Sequence, residues 1–340
     1  MLYVTTRGER EVFTGHWAMT HDPDKGQTIP RQEPEFDGNF AGRTFNQNIA
    51  YVLDALYREP ISPWDVDMAL GKHPLVIAEL NSRTLEARLW WASDRGGFEQ
   101  FTRRLLAVFT GNTLERPSTW FTMSVRIAVL AGVYGRLVAE GRLRVGQTMD
   151  ISVPSDDFQF PMAAWYARKW GVPIGRIICC CNENNAPWAL LHQDELRTDG
   201  SPRRTMTSAC DQTAPAGLER LLYAVLGQHE AVRYGEAVER GERFRLEASQ
   251  CIQLRKEMSM TVVSQRRLRF LMPNIYRDGL WNPDPYTAMS YAGLVDHRAC
   301  TGETGMGLII SLEDPVVHAA VLERELGITE AALRQRLGRM

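Results

Sequence analysis

Hydrophobic and polar positions follow two distinct periods along the chain. From 120 to 141, "WFTMSVRIAVLAGVYGRLVAEG" places apolar residues at helical spacing and stops at a glycine, which predicts an amphipathic or buried helix. "TMDISVP" (148–154) then reads as a strand, "FPMAAWYARKWG" (160–171) as a helix with Gly171 just past its end, and "RIICCCN" (176–182) as another strand. A right-handed crossover of this length makes the two strands parallel, and ligands of such sheets sit beyond the carboxyl ends of the strands. The turn "SDDFQF", Ser155 to Phe160, therefore falls in a ligand position.

The remaining pattern completes an α/β class with helices on both faces. "HPLVIAEL" (73–80) reads as a strand, 214–226 as a helix, and 230–271 as a charged, largely helical stretch. "GLIISLEDP" (307–315) is a strand with its turn, and 315–339 a closing helix. Residues 21–38, rich in Asp, Pro and Gly, suggest an ordered loop, and the polar stretch 192–208 suggests a mobile one. "TGNTLERPST" (110–119) is a short joint between two helical segments.

Composition narrows the partners. The 340 residues are 44% hydrophobic, enough for a substantial core, and the formal net charge of -2 supplies no basic field for nucleic acid or an anionic membrane. With no charged-then-apolar leader and no apolar run read as long enough to span a bilayer, a cytoplasmic location is expected. Only Lys25, Lys72, Lys169 and Lys256 offer an amine for covalent chemistry. The cysteines, three of them consecutive at Cys179, Cys180 and Cys181, form neither a disulfide framework nor a CxxC zinc site, so reduced, buried thiols and no metal are expected.

Together these segments resemble the threonine synthase family, fold-type II enzymes that use pyridoxal phosphate (PLP). "MLYVTTRG" resembles the family's opening segment, and "DPDKGQTIP" lies where the family has a glycine-rich turn. Residues 152–185, ending in "CNENN", match the family's pattern nearly end to end. The likeness continues through "TSACDQTAPAGLERLLYAVLG", "DPYTAMSYA" and "LIISLEDPVVHAAVL". It implies a threonine synthase-like (tryptophan synthase β-like) large α/β domain spanning 1–340. The family's small mobile domain would be mostly deleted, with the joint at 110–119 in its place.

The departures fall on the residues that hold the cofactor in the family. Aligned on "ASDRGGFEQF" (92–101), the imine-forming lysine is replaced by Glu99, and a carboxylate forms no imine. The glycine-rich loop that offers backbone N–H groups to the phosphate reads Ser155-Asp156-Asp157-Phe158-Gln159-Phe160, whose acids repel a dianion. Leu312 stands where the family has a hydroxyl facing the pyridine nitrogen. PLP is therefore expected to be absent, with no cofactor in its place.

If the cleft persists, the resemblance implies that Glu99, Ser155, Asp156, Asp157, Asn182, Glu183 and Asn184 line it, with Asp211 and Ser311 from neighbouring loops. Glu99 is a candidate general base and Asp157 a second catalytic carboxylate, and the bland alternative for Glu99 is a tolerated polar residue. Asp156 and Asp157 suit an amine or guanidinium, or a divalent metal, while Ser155 and Asp157 equally suit capping of the following helix. Asn182 and Asn184 read as substrate contacts or as a loop anchor. Arg95, Arg103 and Arg104 could clamp a carboxylate or phosphate, or face solvent. "LWW" (89–91), Trp120, Phe121, Trp165 and Trp170 suit a core, or an interface in a homodimer or with a protein partner.

Two functions remain open at this stage. One is a PLP-independent enzyme of lyase or isomerase type acting on a small amino-acid-like or phosphorylated metabolite, with Glu99 and Asp157 catalytic and Arg95, Ser155, Asp156, Asn182, Asn184 and Ser311 binding substrate. The other is a non-catalytic homologue acting as partner or regulatory subunit of an active enzyme.

Overall fold

The computed structural model describes residues 2–8, 25–71, 75–90, 97–277 and 284–338. Its centre is a six-stranded sheet, in spatial order Val76–Asn81, Thr84–Arg88, Met306–Ser311, Met149–Pro154, Ile174–Cys181 and Ser259–Val262. The first two strands pair antiparallel and every other neighbour pairs parallel. The predicted unit over 148–182 is present as strand Met149–Pro154, helix Gln159–Lys169 and strand Ile174–Cys181.

Side chains alternate across the sheet as a strand's two-residue period requires. Ile177, Cys179 and Cys181 enter the large apolar cluster on one face, and Ile178 and Cys180 the smaller cluster on the other. All three cysteines are fully buried, and burial pushes the Cys180 thiol up to about 12. The six cysteines are free thiols.

The apolar run at 120–141 forms the helix Thr119–Ala139, with the Ser118 side chain accepting from the Phe121 N–H at its start. By length and composition this helix could cross a membrane, which corrects the reading that no apolar run is long enough. Here its apolar surface is covered by the helices Phe45–Tyr57 and Gln159–Lys169. Gly132 and Gly135 make the first approach possible, since a Cβ on either would fall 2.6 Å from the Phe45 ring or 2.5 Å from Asn48 Nδ2.

Four expectations differ from the structure. The stretch 230–271 is interrupted by strands Arg243–Arg245 and Ser259–Val262, the latter closing one edge of the main sheet. The closing segment is a 3-10 turn Pro315–His318 and two helices, Ala319–Leu326 and Glu330–Leu337, because Gly327 at φ 69° ends the first. Helices Phe45–Tyr57 and Pro63–Leu70 were not expected, although each opens on a reciprocal capping box, Thr44 with Gln47 and Ser62 with Asp65. The polar stretch 192–208 is tied down rather than loose, with a strand at Glu195–Arg197 and hydrogen bonds from Arg203, Thr205 and Thr207.

Trp90, Trp120, Phe121, Trp165 and Trp170 are buried, so these aromatics pack the core; Trp91 lies outside the described residues. The helix Gly97–Thr110 runs into Thr119–Ala139 through residues 111–118, a joint too short to hold a folded domain.

Candidate functional site

Strand order decides where a ligand can enter. From Met149–Pro154 the chain crosses to Ile174–Cys181 on one side, while Met306–Ser311 flanks it on the other, so the crevice beyond these carboxyl ends is a topological switch point. A cavity of about 210 Å³ lies there, lined by residues that include Arg126, Asp156, Phe160, Asp284, Tyr286 and Glu313. This lies below the about 300–1,000 Å³ of drug-sized sites and suits a small metabolite.

Arg126 projects from the middle of the Thr119–Ala139 helix. Its Nη2 donates to Asp156 Oδ2 at 3.2 Å, and its guanidinium carbon lies 5.1 Å from the centre of the Phe160 ring and 5.8 Å from that of Phe98. Its Nε and Nη1 are buried and find no hydrogen-bond partner. Two orphaned donors on a charged group are costly, and an anion drawing the guanidinium slightly into the cavity would recover that cost.

Across the cavity, Glu313 Oε2 meets His318 Nε2 at 2.8 Å. That bond holds the Glu313 carboxyl below its ordinary range. Burial opposes the charged form of His318, yet Glu313 and the nearby Asp284 and Asp314 outweigh it and raise the imidazole's pKa. The Tyr286 ring stands beside His318, centroids 5.4 Å apart, and its hydroxyl accepts from the Ala209 N–H. Asp284 caps the helix Pro285–Thr301 by accepting from the N–H groups of Tyr286 and Thr287, and also takes the Thr287 hydroxyl.

The residues singled out from the sequence disperse around this cavity. Asp156 lines it, in a left-handed conformation at φ 44° with its N–H donating to Cys210 Sγ. Ser311 is buried, accepting from Trp90 Nε1 at 2.7 Å and lying 3.1 Å from Thr287 Oγ1. Ser155 is buried in the turn, its N–H on the Cys180 carbonyl. Asp157 binds the neighbouring loop: Oδ1 accepts from the Ala216 N–H at 2.8 Å and Oδ2 from Gln159 Nε2, while burial raises its pKa. Neither Ser155 nor Asp157 caps the next helix, whose N-cap is Phe158 at φ 60° with no side-chain cap, and this corrects the capping alternative.

Glu99 points away. Its side chain is 70% exposed and pairs with Arg103 one turn along the helix, at 2.6 Å. Gly97 and Phe98 take the inward positions instead: the Phe98 N–H donates to the Leu312 carbonyl, and a Cβ on Gly97 would fall 2.7 Å from that same oxygen. Arg104 turns to the Ala69 carbonyl, and Arg95 lies outside the described residues. Asn182 and Asn184 both donate to Asp211 Oδ1, at 2.8 and 2.9 Å, in a network with Thr205, Thr207 and Arg203 that anchors a loop. Glu183 accepts from the Gln265 N–H.

The sequence reading missed Arg126, Asp284, Tyr286, Glu313 and His318. Arg126 alone left a signal, a charge in the first half of a long apolar helical run, well away from either end. No group of metal-ligating side chains occurs among the described residues.

No family model matches the chain. In sequence it is 23% identical over 265 residues to threonine synthase-like 1 of Homo sapiens, a match that covers 75% of this chain and 34% of that protein. The Macaca fascicularis counterpart is 24% identical over 266 residues. The chain thus spans about a third of the length of the curated relatives it matches. In structure it superimposes on PLP-bound threonine synthase from Brucella melitensis with TM-score 0.77, at 15% identity, covering 100% of this chain and 95% of that one. For yeast threonine synthase the TM-score is 0.73, at 14% identity, with 96% and 90% covered. The chain is similar to threonine synthase-like 1 in sequence and to the threonine synthases in fold. Its fold is theirs, a mixed α/β architecture around a largely parallel sheet.

The residues present do not fit PLP as the resemblance would hold it. Among the described residues no lysine lines the cavity: Lys25 pairs with Glu239, Lys169 with Glu33, and Lys256 is exposed, while Lys72 lies outside the described residues. The N–H groups of Ser155, Asp156 and Phe158 are committed to Cys180, Cys210 and Ser155, so they make no phosphate cradle. Asp156 brings a carboxylate to the place where a phosphate would need donors.

Proposed function

We propose that this threonine synthase-like chain works without PLP and uses the switch-point cavity to bind a small amino-acid-like or phosphorylated metabolite, whose anionic group is taken by Arg126. The observation that carries this reading is the pair of buried, unpartnered guanidinium nitrogens beside a cavity of metabolite size. If the chain is a lyase or isomerase, proton transfer falls to Glu313 and His318. Glu99 faces solvent, and Asp157 is bound to the Ala216 backbone.

Native mass spectrometry of the protein from its own cells tests this, followed by incubation with PLP and borohydride reduction. A small retained mass that Arg126→Gln loses, with no pyridoxyl adduct, is the expected result. A pyridoxyl adduct on a lysine would overturn the PLP-independent reading.

A second reading is a non-catalytic partner of an active enzyme. Trp64, Met68 and Leu114 favour it, being 66%, 59% and 89% exposed. The same spectra, taken before any purification that strips a partner, would then contain a complex with a second protein.

A further inference from the structure

The bond between Arg126 and Asp156 is a poor one for two opposite charges. A guanidinium commonly meets a carboxylate through paired N–H bonds of about 2.7–2.9 Å. Here a single bond forms, Nη2 to Oδ2 at 3.2 Å, and the buried Nε and Nη1 stay without a partner. The other carboxylates of the cavity lining are engaged elsewhere, Glu313 by His318 and Asp284 by the Tyr286 and Thr287 N–H groups. Among the described residues Asp156 is therefore the one acid bonded to this arginine.

The turn that carries Asp156 is fixed on either side of it. The Ser155 N–H donates to the Cys180 carbonyl at 2.7 Å, the Asp157 carbonyl and Oδ1 accept from the Gly217 and Ala216 N–H groups, and the Phe158 ring is wholly buried. Asp156 itself is held loosely. Its N–H meets a thiol sulfur, Cys210 Sγ, which is a weak acceptor, and its backbone sits in the left-handed region at φ 44°. Its side chain already touches water, so a change of rotamer alone carries the carboxylate off Arg126 and into solvent while the turn stays in place. The Phe160 ring, 5.1 Å from the guanidinium carbon, remains as a wall that keeps the arginine at the cavity.

We propose that Asp156 is a built-in competitor for the anion site, an affinity-setting residue whose carboxylate occupies Arg126 while the cavity is empty and yields to the incoming anion. This rests on the reading of Arg126 as the anion-binding group and adds how that group is regulated. Where a binding group is free for only a fraction of the time, the apparent affinity falls by that fraction. An aspartate that holds Arg126 for about nine-tenths of the time lowers it about tenfold.

Calorimetric titration of the full chain with inorganic phosphate, at constant ionic strength, tests it. Asp156→Asn keeps the shape of the side chain and Asp156→Gly suits the left-handed backbone, so a folding defect in one leaves the other to report. Both should bind phosphate about tenfold more tightly than the parent. Arg126→Gln should show no saturable binding. Asp157→Asn removes a charge from the same turn without touching Arg126, and should change the affinity far less. A gain there as large as at Asp156 would overturn the competitor in favour of general repulsion. Phosphate bound by the parent as tightly as by both Asp156 variants would overturn it as well, and leave the Arg126 site standing. Binding that is absent throughout, or that Arg126→Gln retains, would overturn both.

Discussion

Arg126 and Asp156 are bonded across the switch point, Nη2 to Oδ2 at 3.2 Å, with the arginine side chain 11% exposed and the aspartate 23%. Neither is in water enough to be indifferent to the other. Removing one leaves a partly buried charge without its partner.

A double-mutant cycle measures that dependence. Arg126→Gln alone should destabilise the protein in urea, and Arg126→Gln combined with Asp156→Asn should recover much of the loss. The coupling should fall within about 0.5–3 kcal/mol, as for contacting charged groups. Strict additivity would mean that the pair is not formed in solution.

Glu99 and Asp157 should respond to substitution to different degrees. Glu99→Gln removes an exposed helical ion pair and should cost no more than about 0.5 kcal/mol. Asp157→Ala removes the bonds to the Ala216 N–H, which water can reach, and to the Gln159 amide, and should cost about 0.5–1.5 kcal/mol. Urea midpoints of the two variants compare them directly, and equal values would contradict the placement of both residues.

Ser311→Ala removes the acceptor of the buried Trp90 indole N–H and the partner of the Thr287 hydroxyl. A loss of about 1–3 kcal/mol is expected, with a change in tryptophan fluorescence as the indole loses its bond. A variant as stable as the parent would show that water replaces the serine hydroxyl.

Acidity acts on Glu313 and His318 in opposite senses. Glu313 is depressed below its ordinary 4.5, so its contribution is present above about pH 4.5 and lost as pH falls through the folded value. His318 is raised above its ordinary 6.5, so its contribution is present below about pH 6.5 and lost as pH rises through the folded value. The pair therefore stabilises most between about pH 4.5 and 6.5. Melting temperatures of the parent minus those of His318→Gln, plotted against pH, should peak in that window. A flat difference would remove the ion pair from the account.

The parts that were legible in the sequence are those whose information is local. Met149–Pro154, its turn and Gln159–Lys169 follow from periodicity and from Gly171, and the alternation of Cys179, Cys180 and Cys181 across the sheet follows from strand geometry. Glu99 shows the limit of alignment, which names the residue at a position but not its direction. Because the helix begins at Gly97, Gly97 and Phe98 take the inward arc and the next residue turns outward. Glu313, His318 and Tyr286 come from separate elements, and only the packed sheet brings them to Arg126.

Phe158 holds a left-handed backbone at φ 60° while its ring is wholly buried. A bulky residue there costs about 1–2 kcal/mol in backbone strain, which burial of the ring at about 1.5–3 kcal/mol offsets. Replacing it with glycine would relax the backbone but leave a void, at about 3–5 kcal/mol for deletion of a phenyl ring. The bend and the ring thus lock one another, and neither can be altered alone without a loss of stability.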